Sequence, residues 1–370
     1  MNYKSILNLL GILLGIFSLS FIPPLILTYM YSESGGEVFL YSFLFFSIFG
    51  CAIWAATRQK NLTLNISDGF VITTLFWVVL ACAGSVPFYF FGLSVSDAIF
   101  ESASGITTTG ATTIVGLDNL PKSILLYRQL LQWIGGMGLI VLAVAVMPAL
   151  GIGGGQLYKM ELPGSHGNQK LTPKITDSAK ALWKIYVGLT VACATLYLLS
   201  GMNVFDSIAH SLSTVAGGGF STHDGSIGFF DSALIEAVCI IFMLLSAASF
   251  AVHYAAIFGG KPLKYFYDSE FRFFLSVVLL IIIISLIVHI ISNSYADIFS
   301  AFGTTVFHVV STVTTSGFTT ENFSLWPGFL PYLLLVGAFM GACSQSVGGG
   351  IKAWLININT LQALMPPPTD

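Results

Sequence analysis

The stretch DAIFESASGITTTGATT, Asp97 to Thr113, returns twice in the same chain, as DSIAHSLSTVAGGGFST from Asp206 and as TTVFHVVSTVTTSGFTT from Thr304. Aligned on their glycines, the copies place a serine (Ser104, Ser213, Ser311) six positions ahead of a glycine (Gly110, Gly219, Gly317). Ala or Phe follows the glycine, then Thr or Ser, then Thr, so the shared pattern is S-[GT]-[IV]-[TA]-x-x-G-[AF]-[ST]-T. Self-similarity at a matching spacing is the mark of a repeat architecture. Each copy opens with a stretch that forms about three helical turns, and each is too short and too polar to cross a bilayer.

The residues around the copies supply the bilayer. Only 8% of the 370 residues are charged and 55% are hydrophobic, with a mean hydropathy of +0.85. A water-soluble fold of this composition would lack polar surface to cover itself. Eight apolar stretches approach the roughly 18 residues a spanning helix needs, at 6–29, 38–56, 70–91, 125–150, 182–199, 234–258, 273–291 and from 328 through 340 onward. Pro23-Pro24 predicts a broken or re-entrant first span. With the N-terminus cytoplasmic, twelve of the fourteen Lys and Arg fall inside, and Lys122 and Arg128 fall outside. The outer side then gathers Glu33, Glu37, Asp118, Asp224 and Glu321, a vestibule that favours cations. Cys51, Cys82, Cys193, Cys239 and Cys343 stand singly, without metal-ligand spacing, and read as packing residues.

The predicted unit is therefore span, half-helix, extended return strand, span. Non-helical backbone at membrane depth is tolerated only inside protein or beside a water-filled cavity. Glycine lets successive carbonyls aim one way, and Thr and Ser add uncharged oxygens. A ring of such oxygens replaces the water shell of a large monovalent cation. No carboxylate lies between Gly105 and Gly116, Thr214 and Thr222, or Thr312 and Thr320, which argues against divalent-ion or proton pathways.

At these residues the sequence resembles the Trk-type potassium uptake proteins, the TrkH/KtrB family. The resemblance runs over the whole chain through ESASGITTTGAT, GGGQLYKMELPG and KLTPKITDSAKALW, VAGGGFST, TVTTSGFTT and GACSQSVGGGIK. It implies an all-α integral membrane protein of repeated span–pore-helix–span, potassium-channel-like units around a central pore. The expected organisation is two leading spans at 1–68, pore repeats at 69–150, 182–262 and 263–358, a cytoplasmic linker at 151–181 and a tail at 359–370. It implies potassium uptake through a filter of Thr109, Gly110, Ala111, Gly218, Gly219, Phe220, Ser316, Gly317 and Phe318, with K⁺ at Gly110, Gly219 and Gly317. The transported ion takes the place of any cofactor. The resemblance further implies a gate at Gly341, Ser344, Gly348, Gly349 and Gly350, a homodimer in membrane lipid, a cytoplasmic nucleotide-binding partner of the TrkA/KtrA kind, and the bacterial inner membrane; nucleic acid is not a partner. Family members carry four units, and a fourth filter glycine is expected at about residue 415. The chain ends at Asp370, so the reading is of a truncated subunit or of a fourth wall from another chain, and the family's pore-facing arginine has no counterpart.

Several residues have plainer readings. Asp97 and Asp206 fit N-caps of the half-helices. Glu101, His210 and His308 share one register and read as hydrogen-bonded packing residues before ion contacts. Arg128 reads as an interfacial or packing cation, Lys352 as a snorkelling anchor, and Gly135–Gly138 as close helix packing. The linker glycines lack Walker spacing, and Lys170, Lys174, Lys180 and Lys184 read as an inside anchor or a docking surface for an acidic partner face. Asn61, Asn65 and Asn322 begin chance glycosylation triplets. A sodium-permeable or Na⁺-coupled relative is an alternative. An intramembrane hydrolase built on Ser213 with His210, or Ser311 with His308, is a weaker one, since Ser104 stands beside Glu101 with no histidine.

Overall fold

A computed structural model describes residues 2–58, 66–150 and 175–353. Most of the linker, including Lys159, Lys170 and Lys174, lies outside the described residues, as do Asn61, Asn65 and the tail 359–370. The described residues form helices and 3-10 turns without a strand ladder. In order, α1 is Tyr3–Ser18, α2 Ile22–Tyr31, α3 Gly36–Thr57, α4 Ile66–Phe90, α5 Val95–Ile106 and α6 Lys122–Leu150. There follow α7 Ile175–Leu199, α8 Val204–Ala216, α9 Ala233–Ala247, α10 Phe250–Ile257, α11 Lys264–Tyr267, α12 Ser269–Ile291, α13 Ile298–Val313 and α14 Leu330–Met340.

The threefold pattern is explicit. A long apolar helix (α4, α7, α12) precedes a short one (α5, α8, α13). A non-helical strand and a 3-10 turn (Leu117–Asn119, Ser226–Phe230, Phe323–Leu325) then lead into a further helix (α6, α9, α14). Tyr3–Tyr31, Gly36–Thr57, Ser67–Phe90, Lys180–Leu199 and Ser269–Ile291 are long and apolar enough to cross a membrane.

The structure decides two span expectations. Of the two readings of the first span it is broken and not re-entrant: a 3-10 turn at Leu19–Phe21 joins α1 to α2, and Pro23 and Pro24 sit in the first turn of α2, where no intrahelical N–H is needed. Residues 234–258 are not one straight span, because α9 and α10 meet at a 103° bend. The backbone groups freed there are taken by a distant segment: Cys343 N donates to Ala247 O and Phe250 N to Gln345 O, both at 3.0 Å. Ser249 caps α10 through the N–H of Ala251.

By backbone contacts the described chain forms two units, 2–150 with 208–224, and 175–207 with 225–353. In the first, α1 crosses α3 with glycine against glycine. A Cβ on Gly50 would lie 2.8 Å from Gly11 O, so only hydrogen permits that approach. Phe21, Phe39, Phe88 and Tyr127 form a fully buried aromatic core, and the Tyr127 hydroxyl donates to Gly84 O at 2.9 Å. A Cβ on Gly135 would meet Ile106 O at 2.0 Å, which seats α6 against the end of α5. In the second unit, α12 packs on α13 and α14, and α9 packs on α7 and α13. Cys193, Cys239 and Cys343 are buried, Cys51 and Cys82 exposed, and all five are free thiols.

Candidate functional site

Each short helix starts on a side-chain cap. The expectation that Asp97 and Asp206 are N-caps is corrected by one turn. Ser94 accepts from Asp97 N at 3.2 Å and donates to Asp97 Oδ2 at 2.7 Å, while Asn203 Oδ1 accepts from Asp206 N at 2.9 Å. Both aspartates are third residues of capping boxes. Asp297 caps α13 directly, accepting from Ser300 N at 2.7 Å.

All three helices end identically. The N–H of Thr108, Gly217 and Thr315 returns three residues to Gly105, Thr214 and Thr312, and the N–H of Thr109, Gly218 and Ser316 returns five residues to Ser104, Ser213 and Ser311. This is the Schellman termination, and it demands a left-handed residue, here Thr108 (φ 56°), Gly217 (67°) and Thr315 (62°). Two residues further, Gly110 (77°), Gly219 (74°) and Gly317 (82°) are left-handed again. In an ordinary strand successive carbonyls point to opposite sides; a change of hand at every second residue turns them toward one side. Two of the three terminators are threonines, β-branched residues that seldom adopt positive φ, and strain of that kind collects at functional segments. The helix C-terminus adds a partial negative charge at the head of each strand.

Behind each strand the registers seen in sequence become fastenings. Ser104 Oγ donates to Ala111 O and Ser311 Oγ to Phe318 O, each at 2.6 Å. Four residues into the first copy, Glu101 takes the Thr112 hydroxyl and the N–H of Thr113 at 2.6 Å and Ile114 at 3.3 Å. In the second, His210 Nε2 pairs with Ser221 Oγ at 2.9 Å. In the third, His308 Nδ1 lies 3.0 Å from Thr304 O, and Nε2 lies 3.1 Å from Glu321 O and 3.4 Å from the backbone nitrogens of Thr320 and Glu321. All three side chains are fully buried, so each is a strut between helix and strand. Ser213 and Ser311 spend their hydroxyls on Gln132 Oε1 and Phe318 O, so neither of the pairs that the hydrolase reading was built on, Ser213 with His210 or Ser311 with His308, is formed.

Helix α6 contributes what the sequence reading missed. Arg128, read as an interfacial or packing cation, is buried. Its Nε lies 3.3 Å from Glu101 Oε2, Nη1 donates to Ser221 O at 3.1 Å and Nη2 to Thr112 Oγ1 at 2.9 Å, with the guanidinium 4.2 Å over the Phe220 ring. Two of the three repeats are thus braced by one ion pair. One turn along, Gln132 Oε1 accepts from Ser213 Oγ at 2.6 Å and Phe220 N at 3.1 Å, and its Nε2 donates to Gly218 O at 2.6 Å. The available signal was polar residues at i and i+4 inside an apolar span, which are functional by default.

These fastenings divide the predicted filter residues. The carbonyls of Ala111, Gly218 and Phe318 accept from Ser104, Gln132 and Ser311, each bond using one of the two lone pairs of the oxygen. Phe220 and Phe318 are buried behind their strands. In the first unit the strands of Gly110 and Gly218 abut: a Cβ on Gly110 would lie 2.0 Å from Gly218 O. Thr109 and Gly219 belong to the same unit, whereas Ser316 and Gly317 lie in the second. There Thr319 is clasped at both backbone groups, its N–H donating to Ser226 Oγ at 3.2 Å and its carbonyl accepting from Gly228 N at 3.1 Å.

The glycine-rich segment also belongs to the second unit. Gly341, at φ 69°, ends α14, and the chain folds on itself. Ala342 N donates to Gly349 O at 3.2 Å, Ile351 N to Phe339 O at 2.9 Å and Ala353 N to Ala342 O at 3.1 Å. A Cβ on Gly341 would sit 2.2 Å from Gly349 O, and one on Gly350 2.3 Å from Gly341 Cα. The glycines permit this close backbone approach. Glu270 Oε1 accepts from Ser344 N at 2.5 Å and Ser344 Oγ at 2.7 Å, and Gly349 N donates to Thr315 Oγ1 at 2.6 Å. Lys352 Nζ bonds Gly348 O, so it closes the loop and is no snorkelling anchor. Among the described residues no cluster of His, Cys, Asp and Glu could hold a metal ion.

Repeated span, re-entrant helix, strand and further helix define a multi-pass membrane protein of the pore-loop class. A family model described as cation transport protein, TrkH, matches residues 35–365. The Trk system potassium uptake protein TrkH of Vibrio parahaemolyticus is 47% identical over 367 residues, covering 98% of this chain and 76% of that one. Its Escherichia coli K12 counterpart is 45% identical over 355 residues, covering 95% and 74%. The crystal structure of the potassium transporter TrkH from Vibrio parahaemolyticus superposes with a TM-score of 0.87 at 45% identity, covering 98% of this chain and 75% of that one. The chain belongs to the TrkH family of cation transport proteins.

Proposed function

We propose that this chain takes up potassium across the bacterial inner membrane, N-terminus cytoplasmic, through a filter of main-chain oxygens. Repeats 69–150, 182–262 and 263–358 each present one strand of that kind. The oxygens that meet the ion are those at Thr109, Gly110, Gly219, Ser316 and Gly317, whereas Ala111, Gly218, Phe220 and Phe318 hold the strands in place. Potassium is cargo, dehydrated by carbonyls that cost little to reorganise because each strand is already fastened. The folded segment Gly341–Gly350, with Ser344 latched to Glu270, is the gate. A homodimer and a cytoplasmic nucleotide-binding partner of the TrkA/KtrA kind complete the assembly.

The observation that carries this reading is the recurrence of left-handed backbone at the same two positions of all three repeats. Replacing Gly219 by Ala tests it. A Cβ at φ 74° is strained by about 1–2 kcal/mol, enough to move the strand while the fold persists. The variant is expected to lose rescue of a potassium-uptake-deficient bacterium at low external potassium while reaching the membrane in normal amount. Unchanged rescue would refute the filter.

A further inference from the structure

The three strands are fastened by two different devices. In the first and third repeats the serine of the shared motif bonds directly to the carbonyl seven residues on, at 2.6 Å in both. In the second repeat the equivalent serine, Ser213, donates instead to Gln132, and the carboxamide of Gln132 reaches the strand twice, through Phe220 N and Gly218 O. One fully buried amide from a neighbouring helix is thus inserted between pore helix and strand. It uses both ends: the oxygen accepts two bonds, and the nitrogen donates one. A carboxamide offers a donor and an acceptor in this order without titrating, whereas a glutamate does so only when protonated.

The space around it leaves no slack. A Cβ on Gly218 would lie 2.3–2.6 Å from the Gln132 carboxamide, and a Cβ on Gly110 would lie 2.0 Å from Gly218 O. Gln132, Gly218 and Gly110 are therefore stacked in contact, and the position of the Gly218 peptide is transmitted to the left-handed Gly110 beside it. Positions +18 and +22 from the filter glycine, Arg128 and Gln132 in the first repeat, are Ala237 and Ile241 in the second and Leu335 and Phe339 in the third. Among the described residues the device occurs once.

We infer that Gln132 is a positioning residue for ion discrimination: its buried carboxamide sets the second filter strand and, through Gly218, the first. This rests on the proposed filter. A carbonyl ring separates potassium from sodium by where its oxygens stand and how freely they move, so a residue that fixes two strands alters the ratio without touching the ion. Gln132→Glu, at a pH high enough to ionise the carboxyl, keeps two acceptor bonds but sets a carboxylate oxygen against Gly218 O, which must turn. Ser213→Ala leaves the amide attached to the strand but free to swing.

The experiment follows the melting of the full detergent-solubilised chain against KCl and NaCl, because an ion bound only by the native state raises the melting temperature with the logarithm of its concentration over its Kd. Wild type is expected to be stabilised by potassium at lower concentration than by sodium. The K⁺ over Na⁺ preference should fall about tenfold in Gln132→Glu and about threefold in Ser213→Ala, the equivalents of one hydrogen bond and of part of one. A purely structural role would lower the salt-free melting temperature and leave the preference unchanged, and that result in either variant that folds would overturn the inference. Gly317→Ala, whose strand Gln132 does not fasten, separates the two claims. If it abolishes the preference while Gln132→Glu and Ser213→Ala keep it, Gln132 fails and the filter stands; if wild type shows no preference, both fail.

Discussion

The strands of the first two repeats and the strand of the third carry the same backbone turn on unlike foundations. In the first unit a buried ion pair, Arg128 with Glu101, and the amide of Gln132 brace the strands of Gly110 and Gly219 from one helix. In the second unit the strand of Gly317 is held by the His308 ring and by Ser311, and the hydroxyl of Thr315 at its head accepts from Gly349 of the glycine-rich loop. The first arrangement costs desolvation and returns rigidity. The second is bonded to the segment proposed to move. One sequence motif can thus be tuned for constancy in two copies and for coupling in the third, by residues outside the motif.

The largest effect is expected from unbalancing the ion pair. Arg128→Leu strands Glu101 in a buried site, a loss of about 3–5 kcal/mol, and should eliminate folded protein from the membrane, as read by detergent-resistant monodispersity. Full yield would mean that the pair does not brace the strands.

A smaller effect is expected in the third repeat. Thr315→Val keeps the shape and removes the acceptor for Gly349 N, a hydrogen bond worth about 1 kcal/mol. If the loop is the gate, potassium flux per folded molecule rises about fivefold, the equivalent of that energy. Unchanged or lower flux would separate loop from filter.

The smallest effect concerns the far end of the first strand. Asp118 lies 2.5 Å from His223 Nδ1, and Asp224 Oδ1 accepts from Gly116 N at 3.0 Å. The hydrogen bond from His223 holds the Asp118 carboxyl below its ordinary range. A lowered carboxyl stabilises the fold above the unfolded value, near about 3.9, and that contribution is lost as pH falls through the folded value. Amide exchange of residues 114–119 should therefore be unaffected by Asp118 protonation from pH 7 to about 5 and accelerate only below about 4. Asp118→Asn should abolish that acid step; an acid step that survives the substitution would exclude this carboxyl as its source.

Much of this was legible because it is local or periodic. The serine-to-glycine register located all three strands, and the long apolar runs located the spans around them. The caps were misplaced by one turn because an aspartate at the third position of a capping box resembles the cap itself; Ser94 and Asn203 stand three residues earlier. The bend between α9 and α10 carries no Pro or Gly. It exists because Cys343 and Gln345, nearly a hundred residues on, supply the missing backbone partners. Arg128 and Gln132 act on strands more than eighty residues away, a distance at which one sequence gives polarity without partners. The glycines of Gly341–Gly350 announced unusual backbone but not its form, which is a bonded hairpin.

An anomalous-scattering map of crystals of the full chain grown in rubidium tests the central claim most directly. The account predicts rubidium within coordination distance of the carbonyls of Gly110, Gly219 or Gly317, displaced by potassium and not by equal sodium. Rubidium held only by carboxylates away from these strands, or strands that remain empty at saturating rubidium, would contradict it.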